Sequence, residues 1–318
     1  DVVHLHWLGG EMMSVGEIGR LHQPVCWTLH DMWPLCGAEH YDDLTHPGRF
    51  RENYQAINRP PGGRGPDLDA WTWHRKRRAW NPRRFHLVCP SRWMAQCAAE
   101  SALLGDAPRQ VIPNCIDATR FRAHDRRWAR ETFGLDPGTR WILFGAASGS
   151  GDARKGFPQL VQAIASQVDA LQRVNAGLLV FGGGGATHLQ SLPLPVRDLG
   201  SIHDDDALSL VYSAAEVFAC PSLLDNLPNT VMEALACGTP CVGFRCGGLP
   251  DMIDDGATGA LVPPYSVELL GSALVNTVTA GLDRERCRAP ALERYGMGQV
   301  AQAHVALYRR LMAASTTS

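Results

Sequence analysis

Two carboxylates eight positions apart, Asp225 and Glu233, bracket the segment Asp225-Asn-Leu-Pro-Asn-Thr-Val-Met-Glu233, and Ala-Leu-Ala-Cys-Gly-Thr-Pro240 follows directly. One acid stands in a polar loop and the other on the helix that the loop feeds. Pro228 suits the first helical position and Gly238 the stop just past the end. Val231, Ala234, Leu235 and Ala236 supply a buried stripe. With the apolar run 217–220 before it, the segment predicts strand, polar loop, helix N-terminus. Free backbone N–H groups and the positive end of the helix dipole at such a junction favour a phosphate. Carboxylates do not favour a bare anion, so hydroxyl-rich parts of a ligand are their natural partners. For the acids alone, a well-capped amphipathic helix with solvated carboxylates is the plainer reading.

A second constellation is basic. Arg154 and Lys155 lie in Gly151-Asp-Ala-Arg-Lys-Gly-Phe157, after a predicted strand at 141–145. A departing diphosphate accumulates negative charge, and fixed cations stabilise it in the transition state. Arg supplies a bidentate fork and Lys a mobile point charge. The third stretch is Trp27-Thr-Leu-His-Asp-Met-Trp-Pro34, which puts His30 and Asp31 at the C-terminal end of a strand, where α/β folds hold ligand contacts. A strand-end His satisfied by backbone is the plain alternative there. His4-x-His6 alternates along one strand with no third ligand, which predicts a partly buried pair and not a metal site. The glycines from Gly182 to Gly185 lack the spacing and the acidic strand end of a dinucleotide site.

The Asp225–Glu233 segment, with Pro-Ser before it and Glu-Ala-Leu-Ala-Cys-Gly-Thr-Pro within and after it, resembles the donor-site motif of retaining nucleotide-sugar glycosyltransferases of the GT-B fold. That family includes sucrose synthases and many bacterial polysaccharide transferases; Asp225 replaces the first Glu of its motif. The two stretches 27–34 and 225–240 are similar to the colanic-acid type, and the resemblance covers nearly the whole chain. It implies an α/β chain of two Rossmann-like domains facing one another across a cleft. Their bounds would be 1–115 for the acceptor side, incomplete at its start, and 116–282 for the nucleotide side. Helices at 283–318 would cross back to the first domain. The stretch 112–121 resembles the family's interdomain junction, with Cys115 where Gly is usual.

The resemblance also implies roles. Arg154 and Lys155 bind the donor diphosphate, and Arg154 compensates for Ala146, where many relatives carry another Arg. Asn226, Leu227, Asn229 and Thr230 contact diphosphate and sugar. Glu233 accepts hydrogen bonds from the ribose, Asp225 from the donor sugar. His30 reaches toward the reacting sugar, and Asp31 orients it or the neighbouring loop. The implied reaction moves a hexosyl group from a UDP- or GDP-linked sugar to a hydroxyl of a growing, lipid-linked polysaccharide. It proceeds with retention and needs neither metal nor cofactor. The alternative from another class is a non-catalytic glycan- or nucleotide-binding relative, for which the short N-terminal half and Ala146 speak.

The elements that must position these groups follow from patterning. The 318 residues allow two domains; 45% are hydrophobic and 19% charged, which supports packed cores and argues against disorder. Apolar runs at 2–6, 24–29, 85–89, 110–113, 141–145, 177–181, 196–199, 217–220, 240–244 and 259–262 read as strands. Helical patterns at 91–102, 157–171, 204–214 and 267–280 alternate with them, which predicts parallel, doubly wound sheets. Residues 32–81 show few periodicities and read as a structureless insertion. A net charge of −2 calls for neither nucleic acid nor membrane globally. The run from Arg75 to Arg84, with six basic residues, no acid and a Trp within it, reads either as a contact for anionic lipid headgroups or as a solvated helix. Ten cysteines without a C-x-x-C pair read as free thiols in a reducing cytosol, so the expected location is cytoplasmic, peripheral at the inner face of the membrane. The chain starts at Asp1, inside an apolar run, which predicts residues before it.

Overall fold

The structure, a computed structural model, describes residues 1–9, 12–145, 152–182 and 192–316, with Ser315 and Thr316 as backbone only. Ala146 and the glycines 183–185 fall outside the described residues. The chain divides into two compact units, Asp1–Pro113 with Val300–Ser318, and Asn114–Gln299.

In the first unit four strands, β1 (Val3–Leu5), β2 (Val25–Thr28), β3 (Phe85–Cys89) and β4 (Arg109–Val111), form a parallel sheet in that order. The helix Met297–Thr316 presents Val300 and Leu307 to Cys26, Val88 and Ile112 of this unit. The stretch 32–81 is not structureless, contrary to its sequence reading. A helix at Leu68–Ala79 starts on Asp67, whose side chain accepts the Ala70 N–H. Trp73 and Lys76 face inward, so the run after Arg75 is not a uniformly solvated cationic surface. Lys76 donates to the carbonyls of Trp33, Cys36 and Gly37 and lies 3.7 Å from the Trp33 ring centroid. One fully buried ammonium thus gathers the 33–37 loop; burial pulls its pKa down to about 7.

The second unit carries β5 (Arg140–Gly145), β6 (Ala176–Phe181), β7 (Val196–Asp198), β8 (Val217–Cys220), β9 (Cys241–Phe244) and β10 (Gly259–Val262). Their order is β10-β9-β8-β5-β6-β7, every pair parallel. β6, β8 and β9 are buried along their whole length, as strands covered on both faces must be. Helix Val267–Ala280 buries Leu270, Leu274 and Val278 on one stripe, in the same core as Leu160 and Ile164 of helix Phe157–Ser166. Each such leucine contributes about 1.5–3 kcal/mol by leaving water. Helix Arg284–Tyr295 packs Ala291 and Tyr295 into the core of this unit, so the C-terminal helical stretch is shared between the two units.

Candidate functional site

The strand order of the second unit reverses between β5 and β8, and ligands of open α/β sheets bind outside the carboxyl ends of strands at such a point. Here the loops leaving β5 and β8 meet. Asp152 caps the short turn Ala153–Lys155 by accepting the Arg154 N–H at 3.0 Å. Gly156 follows with φ 70°, and a Cβ there would lie 1.8 Å from the Pro221 carbonyl oxygen, so only glycine permits this approach. The Leu223 N–H closes the contact on the Arg154 carbonyl at 2.7 Å.

This docking brings Lys155 and Asp225 together across seventy positions of sequence: Nζ donates to Oδ2 at 2.6 Å. Asp225 is only 6% exposed, which a lone carboxylate would not tolerate; Ser222 Oγ lies 3.5 Å from the same oxygen. The loop after β9 holds it from behind. Gly248 N–H donates to the Asp225 carbonyl at 3.0 Å, and Gly247, φ 54°, leaves no room for a Cβ, which would stand 2.0 Å from that oxygen. Arg154 behaves differently from Lys155. Its guanidinium turns onto Asp152, Nη2 to Oδ2 at 2.7 Å and Nε to Oδ1 at 3.2 Å.

Glu233 sits on the helix Asn229–Ala236 and accepts from the Tyr212 hydroxyl at 2.7 Å. Burial raises its carboxyl above the ordinary range, with Asp205 adding to this and the Tyr212 hydroxyl opposing it. Pro228 occupies the cap position and not the first helical one, so Asn229 opens the helix. Asn229 is exposed and its Oδ1 accepts from Asn114 Nδ2 at 3.2 Å; Thr230 is half-buried. Asn226 is buried, and Leu227 belongs to the core, which fixes the turn from below. At the far end Gly238 takes φ 75°. Arg284 and Arg288 donate to the Cys237 and Ala236 carbonyls there, cations placed where the helix dipole is negative.

In the first unit His30 and Asp31 line a cavity of about 210 Å³ at the carboxyl ends of β1 and β2, with Trp7, Trp33 and His40. His30 Nε2 is hydrogen-bonded to His6 Nδ1 at 2.9 Å, and burial lowers both pKa values. Asp31 serves the neighbouring loop: Oδ1 accepts the Trp33 N–H at 3.0 Å and Oδ2 pairs with His40 Nδ1 at 2.6 Å. Sequence reasoning missed His40, Tyr212 and the glycine pair 247–248. None carries a local signal, since each acquires its partner only through the tertiary fold. Among the described residues no group of three or more His, Cys, Asp or Glu side chains is placed to hold a metal, and no helix is long and apolar enough to cross a membrane.

His4, the other member of the His4-x-His6 pair, bonds to Tyr308 Oη at 2.6 Å and Thr28 Oγ1 at 2.8 Å. Burial first, then the charges of His6, His304 and His30, pull its pKa from 6.5 to about 4. Between those values the unfolded chain takes up a proton that the fold refuses, so stability is complete above pH 6.5 and falls as pH drops toward 4. Thermal melts from pH 7.5 to 4.5 are expected to show this slope and a shallower one in His4→Gln. Equal slopes would remove His4 as its source.

Residues 141–279 match the family model described as Glycosyl transferases group 1. A D-inositol 3-phosphate glycosyltransferase from Saccharomonospora viridis is 33% identical over 226 residues, covering 66% of this chain. The chain spans about half, 51%, of that relative's length. Among solved structures, sucrose-phosphate synthase from Thermosynechococcus elongatus superposes with a TM-score of 0.71 at 20% identity, over 98% of this chain and 74% of that one. Anabaena HepE, solved in complex with UDP and glucose, gives 0.63 at 15% identity, over 90% and 71%.

Proposed function

We propose that this chain, which belongs to the GT-B glycosyltransferases through its group 1 domain, moves a hexosyl group from a UDP- or GDP-linked sugar to a hydroxyl of a growing, lipid-linked glycan. The observation that carries the reading is the Lys155–Asp225 pair at the reversal point of the β5–β8 sheet, beside the N-terminus of helix Asn229–Ala236. A buried carboxylate satisfied chiefly by one lysine is a site waiting for polar exchange. Donor-sugar hydroxyls replace Lys155 on Asp225, and the released ammonium meets the diphosphate, whose charge grows as the glycosidic bond breaks.

Backbone N–H groups of Asn229 and Thr230 add a phosphate cradle, and Glu233 takes the ribose. In this reading Arg154 leaves Asp152 to join Lys155 on the diphosphate. A front-face path, in which the departing phosphate accepts the acceptor proton, gives retention without a protein nucleophile. No divalent ion is then required, since Lys155, Arg154 and the helix end supply the positive charge. UDP is favoured over GDP because HepE, of similar fold, binds UDP.

On the acceptor side His30 contacts the reacting sugar and Asp31 shapes the loop around it. Cyclitols enter as acceptor candidates through the name of the Saccharomonospora viridis relative. The exposed side chains of Arg75, Arg77, Arg78, Arg83 and Arg84 suit peripheral contact with an anionic membrane at the cytoplasmic face.

Calorimetry with UDP, GDP and ADP, followed by turnover of the matching hexose nucleotides, tests the reading. The expected result is selective binding of one nucleotide, lost in Glu233→Ala, with turnover of its sugar. Binding without turnover in the presence of acceptor extracts would favour the non-catalytic alternative.

A further inference from the structure

We infer that Tyr212 is a positioning residue of the donor site: it holds one oxygen of Glu233, aims the other at the ribose, and so makes the site select ribonucleotides over deoxyribonucleotides. This rests on the donor-site reading and deepens it by naming the residue that sets the class of nucleotide.

Tyr212 is fully buried near the end of helix Asp205–Ala214. Its ring stands edge-on to Phe181 and Phe218, with centroids 5.8 and 5.6 Å away. Its carbonyl accepts from Thr239 Oγ1 at 2.7 Å, beyond the far end of the helix that carries Glu233. Ring and backbone are thus fixed, and the hydroxyl meets Glu233 Oε2 at 2.7 Å. A buried phenol needs a partner, and burial together with the Glu233 charge keeps it protonated, so it donates.

Glu233 itself is half-buried, and its Oε1 makes no hydrogen bond among the described residues. Burial works against its charge, and so does Asp205, two turns before Tyr212 on the same helix. Arg120 pairs with Asp205 at 2.8 Å, and the Tyr212 hydroxyl favours the charged carboxylate directly. A carboxylate only accepts, so with Oε2 held, Oε1 calls for a donor on the ligand. Glu233 lies four residues after Asn229, about 6 Å at ~1.5 Å per residue behind the phosphate-binding end of its helix. In a nucleoside diphosphate the hydroxyls at that remove from the phosphate are those of the ribose. A carboxylate already oriented by Tyr212 has little rotamer freedom left to lose on accepting them.

Calorimetric titrations of the full chain with UDP and GDP, with their 2′-deoxy and 3′-deoxy forms, and with inorganic pyrophosphate test the inference. The parent is expected to bind its preferred nucleotide at least about tenfold more tightly than one of the deoxy forms, the scale of a hydrogen bond to a charged group. Tyr212→Phe keeps the ring against Phe181 and Phe218 and removes only the hydroxyl. It is expected to cut that ratio to about threefold or less while pyrophosphate affinity stays unchanged. Glu233→Gln gives Tyr212 the amide oxygen and turns the –NH2 toward the ligand; the same fall is expected, and this variant carries the test if Tyr212→Phe is too unstable to assay. The double variant should fall no further, because Tyr212 acts through Glu233. Thr239→Val loosens the same two helices without touching the carboxylate and should keep the parent's ratio. No ribose selection in a parent that binds nucleotides would overturn the inference. So would an unchanged ratio in Tyr212→Phe or Glu233→Gln, or an equal loss in Thr239→Val. A chain that binds neither nucleotide would instead overturn the donor-site reading, and this inference with it.

Discussion

Lys155→Ala is expected to lower kcat/KM for the nucleotide-sugar donor by about 100-fold or more. Removing one fixed group that stabilises developing charge costs roughly 2.7–4 kcal/mol of barrier, and each 1.36 kcal/mol is tenfold. The variant has a second, separable consequence. Asp225 is 6% exposed and, among the described residues, would keep only Ser222 Oγ, at 3.5 Å, as a side-chain donor, so its charge would be left nearly unpaired. Lys155→Ala should therefore also melt at lower temperature. The double variant Lys155→Ala with Asp225→Asn removes that stranded charge. It is expected to regain stability and to recover no activity. Steady-state kinetics and melting curves on the three proteins separate the two effects. A kcat/KM near the parent's in Lys155→Ala would dismiss Lys155 from the reaction, whatever the melts show.

The strands that position this pair were legible because parallel strands buried on both faces read as continuous apolar runs. All ten runs expected from patterning correspond to β1–β10. The helix Asn229–Ala236 was legible from its stripe of Val231, Ala234, Leu235 and Ala236, all buried. What sequence could not supply is which loop touches which. Gly156 reads as an ordinary turn residue until the Pro221 carbonyl is seen against it, and Gly247 until Asp225 is. Tyr212 is twenty-one positions from Glu233 and on a different helix.

Lys76 is a more instructive miss. Within Arg75-Lys-Arg-Arg78 all four cations look equivalent, but Trp73, Lys76 and Trp80 stand at helical spacing and share the buried face. The phase of the tryptophans carried the information; the run of charge obscured it. The carbonyls of Trp33, Cys36 and Gly37 decide which cation can be buried, and they come from a loop with no periodicity of its own.

The opposite end of the same two strands offers a contrast in which stability should move and chemistry should not. Glu216 precedes β8 and accepts from Arg130 Nη2 at 2.6 and 2.7 Å, from the Trp141 N–H at 2.6 Å, and lies 3.3 Å from Arg126. Arg130 is 7% exposed and, among the described residues, otherwise donates only to the carbonyls of Ala214 and Pro137. Glu216→Ala strands a buried guanidinium and the Trp141 N–H near the start of β5, a loss of about 3–5 kcal/mol for breaking one side of a buried pair. For a unit of this size each kcal/mol moves the midpoint by about 2–4 °C, so Tm should fall on the order of 10 °C. β8 spans four residues, roughly 13 Å at ~3.3 Å per residue, between this anchor and the loop that carries Asp225. Below its melting range the variant is therefore expected to keep kcat/KM for the donor within about twofold of the parent, the scale of a few tenths of a kcal/mol. Glu216→Gln, which retains one acceptor oxygen for Arg130, should lose less stability. A large drop in kcat/KM with Tm unchanged would reverse the assignment, placing chemistry at the amino ends of β5 and β8 and stability at the carboxyl ends.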